Sequence, residues 1–106
     1  MATRDQLTQY AHFLSRVREL NPVMPAQQIQ VLLIVALHLG ITIAEIATRT
    51  GHQQSSAGRC VSALGSWNAS REPGLGLVVA TEDPLDRRQK GVRLTPAGER
   101  FINTLD

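Results

Sequence analysis

The sequence holds one cysteine, Cys60, in 106 residues. That excludes an internal disulfide framework and any zinc site built on several thiolates. Aromatic residues are almost as scarce. Tyr10, Phe13, Trp67 and Phe101 are the whole set, too few for the base-stacking platform of single-strand RNA-binding modules. No long apolar run is present: the longest, residues 31–37, has seven members, against the roughly 20 that a membrane-spanning helix requires. The polar segment 1–9 carries no signal-peptide pattern. The expectation is a cytoplasmic protein with no membrane partner. His12, His38 and His52 fit no ligand spacing, and neither a Ser-His-Asp arrangement nor a phosphate loop occurs. Glu82, Asp83 and Asp86 sit among arginines, which suits ion pairing better than acid–base chemistry. No metal, cofactor or enzymatic activity is therefore expected.

Hydrophobic residues make up 42% of the chain, enough for one packed domain spanning residues 1–106. Leu7, Tyr10, Leu14 and Val17 recur at helical spacing and predict a first helix over residues 5–20, ended by Asn21-Pro22. Residues 25–39 predict a second helix, apolar almost all round and hence central and buried, closed by Gly40. Residues 42–50 predict a third. Thr42 and Glu45 form a capping box there, with the glutamate reaching back to the backbone, and Gly51 terminates the helix. Residues 53–67 predict a fourth helix, with Ala57, Cys60, Val61 and Leu64 on one side and Ser55, Arg59, Ser62 and Ser66 opposite. A loop over 68–76 leads to strands over 77–81 and 91–95, and Ile41-Thr42 is a candidate third strand. A last helix begins at Pro96, with Thr95 as N-cap and Glu99 completing a second capping box. Cys60 lies on an apolar helix face and reads as a buried structural thiol. Trp67 reads as packing at a helix end.

Net charge is only +2, so charge distribution is more informative than charge total. Lys90 is the one lysine among 11 basic residues. The arginine fork suits phosphates and base edges because it donates two parallel hydrogen bonds. The third and fourth helices, joined through Gly51, have the order of a helix-turn-helix, whose second helix enters the DNA major groove. Gln54, Ser55, Ser56, Arg59 and Ser62 stand on that helix. Glutamine can pair with adenine, arginine with guanine, and serine with several edges or a phosphate. Between the two strands, Arg87, Arg88 and Lys90 place three cations within four residues. Such a ribbon tip can lie across phosphates or enter a narrow minor groove. The fold class expected is mainly α with a small β-hairpin (α+β), a winged helix-turn-helix.

Asp86-Arg87-Arg88, followed by Val92-Arg93-Leu94-Thr95-Pro96-Ala97-Gly98, resembles the wing and following helix of the MarR (multiple antibiotic resistance regulator) family. Ile43-Ala44-Glu45-Ile46-Ala47, the helix through Val61 and Leu64, and Gly76-Leu77-Val78 stand in the order that family uses. The resemblance covers about residues 26–101. It implies that Gln54, Ser55, Ser56 and Arg59 lie in the recognition helix, that Arg87, Arg88 and Lys90 lie on the wing, and that Asp86 braces a wing arginine. It also implies a homodimer that reads pseudo-palindromic double-stranded DNA. Two departures stand out. The chain reaches Asp106 soon after Gly98, short of the family's long C-terminal dimerisation helices, and residues 68–74 look like an insertion before the wing.

These readings converge on a sequence-specific DNA-binding repressor of transcription. Residues 1–20 would form an N-terminal helix that dimerises through Leu7, Tyr10, Leu14 and Val17. Residues 42–67 would be the helix-turn-helix, 77–95 the wing and 96–106 the C-terminal helix. The alternative is a winged-helix interaction module, of a kind that a mobile element could encode, that binds and modulates a host protein.

Overall fold

The structure is a computed structural model that describes residues 1–66, 74–82 and 90–105. Helix α1 (Arg4–Leu20) starts one residue earlier than the sequence pattern predicts, because Thr3 and Gln6 form a capping box ahead of it. The Thr3 hydroxyl accepts from the Gln6 N–H at 3.1 Å and Gln6 Oε1 accepts from the Thr3 N–H at 2.8 Å. Only the later part of α1 joins the core, through Phe13, Val17 and Leu20. Leu7, Tyr10 and Leu14 remain at least half exposed.

Helix α2 (Ala26–Leu37) buries Val31, Leu32 and Val35. The expectation of burial all round is corrected: Leu33 is exposed and Leu37 is 72% exposed. Helices α3 (Ile43–Thr50) and α4 (Gln54–Leu64) and the sheet cover one side of α2 and leave the other uncovered. The helix also stops at Leu37, not at residue 39. His38 is its C-cap, and Gly40 at φ +79° turns the chain into strand β1 (Ile41–Thr42).

The expected third strand is present. β1 pairs antiparallel with β3 (Lys90–Leu94), Ile41 opposite Val92 and Thr42 opposite Gly91, and β3 pairs antiparallel with β2 (Val78–Glu82), giving the order β1-β3-β2. A Cβ on Gly91 would lie 3.0 Å from the Gly40 carbonyl oxygen, so β1 approaches β3 closely where that side chain is missing. Val78 and Val92 point inward and are essentially inaccessible, with Leu32, Ile46, Leu64, Val31 and Val35. Side chains of this size contribute about 1.5–3 kcal/mol each when fully buried.

Two caps differ from expectation. At α3 the Thr42 hydroxyl accepts from the Glu45 N–H at 3.1 Å, but the glutamate carboxylate accepts from that same hydroxyl at 3.1 Å and does not return to the backbone. At α5 (Pro96–Asn103) the third helical residue is Gly98, not Glu99. The Thr95 hydroxyl accepts from the Gly98 N–H at 3.1 Å and donates to the Gly76 carbonyl at 2.6 Å. Glu99 is therefore one position too late for a capping box, although an acidic residue in the first turn still favours the helix N-terminus.

Helix α4 ends at Leu64, short of Trp67. The carbonyls of its last turn are satisfied by the chain entering β2: Leu75 N–H donates to Ala63 at 3.2 Å and Leu77 N–H to Leu64 at 2.8 Å. Just beyond the helix, Gly76 N–H donates to Gly65 at 2.9 Å. Helix α5 then packs on this segment. A Cβ on Gly98 would fall 2.1 Å from the Leu77 carbonyl oxygen, a backbone atom that cannot step aside. Gly98→Ala is expected to cost at least about 1–3 kcal/mol, the usual range for overpacking. In a domain of this size that lowers Tm by roughly 4 °C or more, measurable by thermal unfolding. An unchanged Tm would contradict the close approach.

Candidate nucleic-acid interface

Helices α3 and α4 are joined by residues 51–53, with Gly51 in the left-handed region at φ +75°. That conformation is open to glycine without the steric penalty a Cβ would bring. Ile46 and Ala47 from α3 and Ala57, Cys60, Val61 and Leu64 from α4 are buried, which fixes how α4 rotates about its axis. Rotation at about 100° per residue then places Ser55, Arg59 and Ser62 on the side opposite those buried residues. Gln54, Ser55 and Arg59 are exposed, and Ser56 and Ser62 are half-buried. The α4 residues named from the sequence thus share one helix, and most of them share one outward stripe. Gly58, beside that stripe, would bring an added Cβ to nothing within 4 Å, so the surface there is open.

The wing residues are less completely placed. Lys90 is the first residue of β3 and its backbone pairs with Glu82. Asp86, Arg87 and Arg88 lie outside the described residues. Arg93, just beyond them, belongs to the family-like run read from the sequence but was given no site role there. It is exposed on the solvent side of the sheet, opposite Val79. Its guanidinium passes over Gly40, where a Cβ would sit 3.6 Å from Nη2. Strand alternation was the available signal, because Val92 and Leu94 flank Arg93 and face inward.

Arg49, in the last turn of α3, was also missed. It lines an open cleft of about 320 Å³ with Ala44, Glu45 and Thr48. The clue was its place between the inward residues Ile46, Ala47 and Thr50. A second cleft, of about 160 Å³, lies between the first turn of α2 and α4. It is lined by Pro25, Gln27, Gln28, Ser56, Arg59 and Cys60. Gln27 and Gln28 had no signal in the sequence, since only the packing of α2 against α4 brings them beside Arg59.

Among the described residues the one ion pair is Arg16–Glu19, at 2.6 Å on the surface of α1. Arg49, Arg59 and Arg93 therefore have no carboxylate partner within that set. Burial pushes the Cys60 thiol above its ordinary value, so it stays neutral and unreactive at physiological pH. No cluster of three or more metal-ligating side chains occurs among the described residues, and no helix there is long and apolar enough to cross a membrane.

Neither a family model nor a curated protein matches the sequence. Solved structures do. The transcriptional repressor CouR, bound to a 23-mer DNA duplex, is 31% identical and superposes with a TM-score of 0.65, covering 96% of this chain and 65% of that one. The PcaV transcriptional regulator from Streptomyces coelicolor is 27% identical, with a TM-score of 0.65 and coverage of 98% and 73%. MarR, at 24% identity and a TM-score of 0.68 over 93% and 66% of the two chains, shares the fold. The chain is a MarR-like winged helix. It spans about two thirds of the length of CouR and of MarR.

Within this MarR-like fold α4 is the second helix of the helix-turn-helix, and β2 and β3 form the antiparallel pair that follows it. One proposed dimer contact is corrected. Val17 is 2% exposed and belongs to the chain's own core, because it faces inward while Leu7, Tyr10 and Leu14 face outward.

Proposed function

We propose that the chain is a cytoplasmic, sequence-specific transcriptional regulator, most simply a repressor, that binds double-stranded DNA and is not an enzyme. The observation that carries this reading is the outward stripe of α4: a short, polar, hydrogen-bonding face with Arg59 free of carboxylates among the described residues, mounted on the second helix of a helix-turn-helix. Gln54, Ser55, Ser56, Arg59 and Ser62 would meet the major groove. Arg87, Arg88 and Lys90, in or next to the β2–β3 connection, would meet phosphates beside it, with Asp86 bracing an arginine. The likeness to CouR, a repressor solved on a DNA duplex, supports the same reading. Affinity would come mainly from neutralised phosphates and specificity from α4.

A homodimer accompanies this reading, since a two-fold protein matches a two-fold site. Leu7, Tyr10 and Leu14 are spaced along one face of α1 and are 57%, 56% and 50% exposed, which makes them the surface offered to a second copy. Light scattering at micromolar concentration should show a species of twice the chain mass. A single 11.6 kDa species would contradict the dimer.

DNA binding is tested by fluorescence anisotropy of labelled duplex pools from about 50 to 200 mM salt, the range in which added salt weakens phosphate binding most visibly. Binding should fall steeply with salt. In an Arg87→Ala/Arg88→Ala variant it should weaken, with the log–log slope shallower by about 0.9 for each phosphate left without its cation. Absence of binding at the lowest salt would overturn the reading.

A further inference from the structure

The cleft between α2 and α4 has a chemistry of its own. Among the described residues its lining contains one cation, Arg59, and no carboxylate. Gln27 and Gln28 add amide donors from α2, and Ser56 adds a hydroxyl one turn before Arg59 on α4. Pro25 and Cys60 complete it, and the Cys60 thiol, held neutral by burial, brings no opposing charge. At about 160 Å³ the cleft is far larger than one water needs, a requirement of roughly 10–15 Å³, so a tetrahedral anion fits it. Arg59 takes part because of its angular position. It shares the outward face with Ser55 and Ser62 but lies on the flank turned toward Ser56 and Cys60, and so toward α2.

We propose that this cleft seats a phosphodiester of the DNA backbone, with Arg59 as its charge and Gln27, Gln28 and Ser56 as neutral donors. The proposal rests on the DNA-binding reading above and changes the part Arg59 plays in it. Read from the sequence alone, Arg59 is a candidate for a guanine edge in the major groove. Seated in the cleft, it fixes the depth and register of α4 by gripping one strand's backbone. Base discrimination then falls to Gln54 and Ser55 near the start of the helix. Backbone contacts position a protein on the duplex without carrying sequence information directly.

The test compares wild-type protein, Arg59→Ala, Arg59→Lys and Gln27→Ala/Gln28→Ala on two labelled duplexes, a selected site and its scrambled counterpart, across about 50–200 mM salt. Phosphate seating predicts that Arg59→Ala loses affinity by the same factor on both duplexes. It also predicts a salt slope shallower by about 0.9, the value for one phosphate. Arg59→Lys should keep the wild-type slope, because it keeps the charge. The double glutamine variant should weaken both duplexes equally at unchanged slope, because amides displace no counterions. A loss confined to the selected duplex would overturn the proposal and return Arg59 to base reading, as would affinity unchanged on both. If wild-type protein bound neither duplex at the lowest salt, the DNA-binding reading itself would fall, an outcome distinct from either of these. Arg59, Gln27 and Gln28 lie outside the hydrophobic core, so an unchanged Tm in each variant confirms that folding is intact.

Discussion

The carbonyls of Ala63, Leu64, Gly65 and Ser66, at the end of α4, are taken by the N–H groups of Leu75, Leu77, Gly76 and Gly74 as the chain returns toward the sheet, at 2.8–3.2 Å. Elsewhere in a protein the last carbonyls of a helix are satisfied by a local cap or by water. Here the end of α4 and the start of β2 satisfy each other. The approach is close enough that a Cβ on Gly74 would fall 2.0 Å from the Gly65 oxygen. Leu77 adds a second tie, because its carbonyl accepts from Thr95 N–H at 2.9 Å, and Thr95 in turn caps α5 and bonds to Gly76. One backbone junction thus joins helix α4, the β2–β3 sheet and the closing helix, and it sets where the polar face of α4 stands relative to the wing.

The remaining constraints follow from that junction. With the end of α4 fixed, burial of Ala57, Cys60, Val61 and Leu64 decides its rotation, and the opposite side carries Ser55, Arg59 and Ser62. The side that meets α2 forms a cleft holding one positive charge. The side that meets solvent presents groups able to hydrogen-bond an edge. The first half of α1 carries exposed apolar residues that the chain's own core leaves uncovered. A polar, arginine-bearing face on α4 and an exposed apolar face on α1 are the two surfaces that the proposed DNA-binding dimer needs.

Much of the fold was legible because its signals are local. Thr42, Gly51, Thr95 and Pro96 mark helix ends by their own chemistry, and the 3.6-residue pattern in α4 separated its buried from its outward side. The errors arose where a distant element decides. Leu33 and Leu37 look as apolar as Val31 and Leu32, and only the arrangement of α3, α4 and the sheet determines which side of α2 is covered. Val17 matches Leu7, Tyr10 and Leu14 in spacing, yet packing draws it into the core and leaves the others out. The end of α4 at Leu64 could not be read from residues 65–67, because the partners of its carbonyls lie about ten residues further on. Gln27 and Gln28 were invisible as site residues for the same reason. Their surroundings are built by tertiary packing, while Arg59 could be named but not assigned a role.

The central claim, that the outward face of α4 is the surface that meets DNA, is tested most directly by following backbone amide resonances during titration with duplex at low salt. Residues 54–62 of α4, with Gln27 and Gln28 at the start of α2, should shift together and saturate together, while residues 4–14 of α1 stay in place. Shifts confined to α1 and the uncovered side of α2, or none at saturating duplex, would contradict it.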